Sequence, residues 1–197
     1  MAESEIKSRQ LIAIGGSSGS LGVVLHILTR LPADYPLAIL LVIHRGNSPE
    51  SVLMDILQSK SNLSVREVEE KESIRPAIVY LAPADFHVLI EKDKSFSLDY
   101  SEKLNFSRPS IDVSFISAAA VFGVNLTGIL LSGANDDGAE GLRQIKEQGG
   151  YTIIQDPEEA AVGHMPKKAR LKSKIDEVLN TEGITHYLLS RIRSAGE

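Results

Sequence analysis

Residues Leu37 to Ile43 read LAILLVI, an apolar run of strand length with no polar alternation. A strand with one wet face alternates apolar and polar residues, so an unbroken run must be covered on both faces, as in a parallel sheet between two helical layers. Leu11 to Ile14 and Val124 to Leu131 are runs of the same kind, and Tyr151 to Gln155 is a fourth strand. Helical spacing follows these runs: Leu21, Val24, Leu25 and Leu28 after the first, and Val52 to Leu57 after a Ser48-Pro49-Glu50 start. Pro109-Ser110 opens a helix reaching Phe122, Ala139 to Gln148 forms another, and Val162 to Lys172 and Asp176 to Arg193 are two late helices. Val65 to Glu69 and Ile78 to Ala82 are weaker strands, while Phe86 to Glu91 and Ser95 to Tyr100 flank Lys92-Asp93-Lys94 as a hairpin. The alternation predicts an α/β fold: a doubly wound, mostly parallel sheet with helices on both faces and one inserted β-hairpin.

A chain of 197 residues fits one domain, expected over 11–193 behind a tail of 1–10. With 43% hydrophobic and 24% charged residues it is not a disordered sequence, and without cysteine it has neither disulfides nor thiolate chemistry. A net charge of −5 argues against nucleic-acid binding through the overall field. The richest basic run, Lys167, Lys168, Arg170, Lys172 and Lys174, reads as the solvated face of a helix. No stretch approaches the ~20 apolar residues of a membrane span, and Met1 to Gln10 is polar and mixed in charge, unlike a targeting peptide. The expectation is a cytoplasmic domain without membrane insertion.

Ligands of open parallel sheets sit beyond the carboxyl ends of the strands. The polar residues found there are Ser17 after the first run, His44 after the second, and the pair Asp136 and Asp137 after the third. That is the residue set of serine hydrolysis: a nucleophile, a base and a carboxylate to orient the base. Gly15-Gly16-Ser17-Ser18-Gly19 also fits the G-x-S-x-G elbow at a strand-to-helix turn, where the Ser18 N–H is the natural first oxyanion donor. Two other readings of the loop stand beside this one, an anion cradle at a helix N-terminus and a plain tight turn. His44 alone would serve equally as a loop cap, and the Asp pair as helix N-caps. Nothing in the spacing suggests a metal. His26 and His186 read as structural or exposed, and His87 and His164 as second-choice bases. The order Ser, His, Asp along the chain differs from that of the α/β-hydrolases.

Taken together, Ile12 to Gly19 (IAIGGSSG), the strand end Val42 to His44, Arg108 to Phe115 (RPSIDVSF), Gly128 to Gly141 (GILLSGANDDGAEG) and Val162 to Pro166 (VGHMP) resemble, in order, the catalytic domain of the CheB protein-glutamate methylesterase family. The resemblance implies serine-dependent hydrolysis of glutamate γ-methyl esters on chemoreceptors, releasing methanol, with glutamine deamidation in many members. It implies Ser17 as nucleophile, His44 as general base, and Asp137 rather than Asp136 as the acid, because the family's Asp directly precedes Gly-Ala. Ser18, Gly19 and Ala134 are expected at the oxyanion and substrate position. Arg108 is expected either to meet an acidic receptor or to brace its own loop. No metal or cofactor is implied. The implied partners are a methyl-accepting chemotaxis receptor and a receiver protein acting in trans, since about ten residues precede the first strand and no receiver domain is expected. Two family features differ: Ser20 stands where a second elbow glycine is usual, and Ala134 where methionine is common. These departures motivate an alternative, a receptor-binding or signalling module with little turnover.

Overall fold

The structure, a computed structural model, describes residues 10–44, 50–104 and 106–194. Its strands are β1 (Leu11–Gly16), β2 (Ala38–Ile43), β3 (Ser64–Glu67), β4 (Ile78–Leu81), β5 (His87–Ile90), β6 (Phe96–Asp99), β7 (Leu126–Leu130), β8 (Tyr151–Gln155) and β9 (Glu177–Leu179). Its α-helices are α1 (Leu21–Leu28), α2 (Glu50–Lys60), α3 (Ile111–Phe122), α4 (Ala139–Glu147), α5 (His164–Lys172) and α6 (Thr181–Ser194). Seven strands form one sheet in the order β3-β4-β2-β1-β7-β8-β9, and each adjacent pair is parallel. The hairpin β5-β6 stands apart as a two-stranded antiparallel sheet. The expected architecture is therefore present, inserted hairpin included.

The unbroken apolar runs occupy the middle of the sheet, where every residue of β1, β2 and β7 is buried. Successive side chains of a strand point to opposite faces. Leu11 and Ala13 of β1, with Ala38, Leu40 and Val42 of β2, join one core cluster with α3, α4 and α5. Ile12 and Ile14, with Ile39, Leu41 and Ile43, join a second cluster with α1, α2 and α6. The hairpin belongs to the first face. Ser114 donates to Val88 O at 2.8 Å, and Ile90 N donates to Ser117 Oγ at 3.1 Å, so α3 carries the hairpin.

Some boundaries differ from the sequence reading. Val124 and Asn125 lie in a 3-10 turn, so the third strong strand starts at Leu126. The last helix starts at Thr181 rather than Asp176, and the intervening Glu177–Leu179 is an edge strand. Two local interactions explain the change. The Asp176 carboxylate accepts from Thr152 N and Thr152 Oγ1 at 2.9 Å each and pairs with Lys146, which fixes the chain to β8. Asn180 Oδ1 then accepts from Gly183 N at 2.8 Å and starts the helix there. The expected start at Ser48-Pro49 lies outside the described residues, and the body of that helix is α2. Among the described residues no helix is long and apolar enough to cross a membrane.

The helices of the first face approach closely because glycines replace side chains at the contacts. A Cβ on Gly128 would lie 2.5 Å from Ile145 Cδ1, and one on Gly141 would lie 2.5 Å from Phe115 Cβ. The second contact draws the N-termini of α3 and α4 together. Gly141→Ala is expected to cost about 1–3 kcal/mol through overpacking, visible as a lower denaturant midpoint with an unchanged slope. An unaltered midpoint would mean that the α3–α4 contact is not tight.

Candidate active site

Reading outward from β1, the sheet adds β2 on one side and β7 on the other, so the strand order reverses at the centre. Chain segments leaving the carboxyl ends of these three strands diverge there and leave a crevice. Ser17 follows β1, His44 follows β2, and Ser132 to Asp137 follow β7. Their backbones are tied together: Ser17 N donates to Ser132 O at 2.9 Å, and His44 N donates to Gly16 O at 3.0 Å.

The elbow is built from small residues at sub-ångström tolerance. A Cβ on Gly16 would sit 2.5 Å from Ser20 Cβ, and Gly19 adopts φ +82° with Ala161 Cβ 2.5 Å from the space a side chain would need. Ser20 is no loss to this turn, because its Oγ donates to Ser17 O at 2.7 Å and its N–H to the same carbonyl at 3.1 Å. Ser132 braces the elbow from β7, donating from Oγ to Ser18 O at 2.6 Å. Gly133 is wedged between Met165, whose Sδ lies 2.6 Å from the position of an added Cβ, and Ser17, whose Cβ lies 3.1 Å from it. Among the described residues, the N–H groups of Ser18, Gly19 and Ala134 donate to no protein acceptor.

The structure brings Asp137, and not Asp136, to His44. His44 Nε2 lies 2.7 Å from Asp137 Oδ2, and the carboxylate is fully buried. Since an ionised carboxylate only accepts, Nε2 is the donor of this pair. Nδ1 faces Ser107 Oγ at 3.3 Å. Asp137 accepts four further bonds: Ser110 Oγ at 2.9 Å, Ile111 N at 2.7 Å, Asp112 N at 3.0 Å and Gly138 N at 3.1 Å. Burial pushes its carboxyl pKa up, but the bonds from His44, Asp112 N–H and Ile111 N–H outweigh this and hold it below the ordinary carboxylate range. Asp136 is exposed and turned towards α5. Its Oδ1 lies 2.6 Å from His164 Nε2 and its Oδ2 lies 3.6 Å from Lys168 Nζ, and the His164 hydrogen bond lowers its pKa.

The remaining sequence candidates separate cleanly. His87 is buried, with Nδ1 accepting from Ser110 N at 3.1 Å and Nε2 donating to Glu102 O at 3.0 Å, so both ring nitrogens serve the loop before α3. His164 belongs to Asp136, His26 Nε2 lies 3.0 Å from Glu182, and His186 is exposed. Arg108 is turned onto its own loop, donating to Tyr100 O at 3.2 Å and Ser101 O at 2.8 Å. In the basic run Lys167, Lys168 and Lys172 pair with Glu158, Asp136 and Glu140 on the surface.

Sequence reasoning missed Asp112, Ser107 and Ser110. Asp112, on the first turn of α3, accepts at Oδ1 from Gly138 N at 2.9 Å and Gly141 N at 2.7 Å, at the start of α4. Asp137, just before α4, accepts from the first N–H groups of α3. The two carboxylates thus cap each other's helices, and each meets the positive end of the other's dipole. Burial pushes Asp112 up to about 6, helped by the neighbouring Asp137 charge and opposed by the two N–H bonds. A sequence signal existed in the matching positions, since both aspartates stand at helix starts.

A raised folded pKa means that ionising Asp112 costs stability as pH climbs from about 4 to about 6. Asp112→Asn keeps an Oδ1 acceptor without the charge, so its stability relative to wild type should rise across that window and level off above it. Asp112→Ala strands the Gly141 N–H, while Gly138 N–H keeps its bond to Asp137, and should cost about 1–3 kcal/mol. Denaturant titrations from pH 4 to 7 check both, and a pH-independent difference for the Asn variant would contradict the assignment.

The family model described as CheB methylesterase matches residues 12–188. A Leptospira interrogans protein, provisionally named a protein-glutamate methylesterase/protein-glutamine glutaminase, is 42% identical over 180 residues, covering 91% of this chain and 93% of its own. A protein-glutamate methylesterase/protein-glutamine glutaminase of Carboxydothermus hydrogenoformans is 36% identical over 93% of this chain, but the match spans only 56% of that longer protein. The crystal structure of the Thermotoga maritima CheB methylesterase catalytic domain superposes with a TM-score of 0.88 at 33% identity, covering 93% of this chain and 99% of that one. The chain belongs to the CheB methylesterase family.

Proposed function

We propose that this chain hydrolyses γ-methyl esters of glutamate side chains on chemoreceptor proteins, releasing methanol, with glutamine deamidation as the amide counterpart. The observation that carries the reading is the 2.7 Å bond from His44 Nε2 to the buried, multiply bonded Asp137, one strand away from the Ser17 elbow. Family membership and the names of the relatives support the substrate class.

In this mechanism Asp137 holds the Nε2–H tautomer, so Nδ1 takes the Ser17 proton as Oγ attacks the ester carbonyl. The tetrahedral oxyanion is held by the elbow N–H groups of Ser18 and Gly19 and by Ala134 N–H, whose side chain has no part in the contact. Nδ1 then gives its proton to the methoxide as the C–O bond breaks, leaving a glutamyl ester on Ser17. A water deprotonated by the same nitrogen attacks that ester, and the serine oxygen recovers the proton, yielding free glutamate. Ser107 Oγ, 3.3 Å from Nδ1, donates to the lone pair in the resting site and gives way when Ser17 engages it. Arg108 acts by holding the loop that carries Ser107.

Ser17→Ala should leave the fold intact and reduce methanol release from methylated receptor by about 10³-fold or more. Asp137→Asn should retain substrate binding but lower kcat by roughly 10⁴-fold, because an amide favours the wrong imidazole tautomer. Release at the wild-type rate by folded Ser17→Ala would overturn the proposal. Receptor binding without release by the wild type would instead favour a binding module.

A further inference from the structure

The strained backbone at this site lies at its rim. Phe106 adopts φ +61°, a conformation unfavourable for a bulky side chain, and its ring is 99% exposed. An aromatic that buries nothing and holds an unfavourable backbone adds nothing to folding, and such outliers gather where a ligand is gripped. Described residues on either side of it are held in place. Leu104 and Ser107 exchange backbone bonds, Leu104 N to Ser107 O at 3.2 Å and Ser107 N to Leu104 O at 2.9 Å. On the far side the Arg108 guanidinium, already bonded to two carbonyls, stacks 3.9 Å from the Tyr100 ring centroid, which lies 5.5 Å from that of Phe86. Tyr100 and Leu104 are also exposed, so the segment 100–106 displays three large apolar side chains, with Phe86 against Tyr100 from the start of the hairpin.

Phe106 adjoins the site along the chain, because the next residue, Ser107, reaches His44 Nδ1 at 3.3 Å. The relatives are named for acting on glutamate and glutamine of proteins, and a polypeptide offering a side chain to Ser17 has to lie across the surrounding rim. We propose that Phe106, with Leu104 and Tyr100, is the apolar anchor against which the polypeptide substrate docks while its glutamyl side chain enters the site between Ser17 and His44. The proposal rests on the ester-hydrolysis reading for the identity of the polypeptide, and its test reads docking apart from chemistry.

Binding of a methyl-esterified chemoreceptor cytoplasmic segment would be measured with Ser17→Ala and with Ser17→Ala carrying Phe106→Ala, Phe106→Leu or Leu104→Ser. Truncating a central anchor should raise Kd about tenfold or more, and Phe106→Leu should recover most of the loss. Equal Kd values in the Ser17→Ala background and in its Phe106→Ala derivative, or no binding to either, would overturn the proposal. So would a sedimentation result in which Phe106→Ala only dissociates a dimer and leaves Kd unchanged, since the patch would then serve a second copy of this chain. If docking depends on Phe106 but the wild type releases no methanol, the hydrolysis reading fails and the docking surface stands.

Discussion

Everything around the site answers to one buried carboxylate. Asp137 has no solvent exposure, yet five donors converge on its two oxygens, from His44, Ser110, Ile111, Asp112 and Gly138. An unpaired buried charge would be prohibitively costly, and this number of hydrogen bonds offsets the cost while fixing the carboxylate in position. Four of the donors belong to the starts of α3 and α4, so the group that orients the imidazole also joins two helices. Asp112 returns the contact by capping α4. The glycines at 138 and 141 allow this mutual capping, because side chains there would collide with Leu130, Ile111 and Phe115.

Local chemistry is then a consequence of sheet topology. The parallel pairing of β2, β1 and β7 brings three carboxyl ends side by side, and the apolar runs of those strands leave polar residues only where the strands stop. Ser17 emerges on a turn too tight for any side chain at 16 or 19, and His44 is pinned by its own N–H to the same turn. Relative placement of Ser17 and His44 is therefore set by backbone hydrogen bonds of the central sheet, which are among the least mobile in a domain of this kind.

The architecture was readable because long apolar runs admit few alternatives. LAILLVI is buried on both faces wherever it lies, and the alternation of core clusters along β1 and β2 follows from strand periodicity alone. Ser17, His44 and the Asp pair were readable for the same reason, as polar residues at strand ends. What the sequence could not display was long-range pairing. Asp112 looks like an ordinary first-turn acid until α3 and α4 meet. His87 looks like a spare base until Ser110 and Glu102 occupy both nitrogens. The edge strand at Glu177–Leu179 depends on Asp176 reaching Thr152 of a neighbouring strand, a contact between residues 24 positions apart. Exposure at Phe106 was equally invisible, since one aromatic in a loop carries no sign of whether it will be buried.

In the proposed mechanism Asp137 selects the imidazole tautomer and so commits Nδ1 of His44 to proton transfer. Nitrogen-15 spectroscopy of labelled histidine at neutral pH, with His44 assigned by substitution, tests this most directly. The expected result is a ring whose Nε2 is protonated, with the signature shifting towards a mixture of tautomers in Asp137→Ala. A His44 ring protonated at Nδ1, or a tautomer indifferent to loss of the carboxylate, would contradict it.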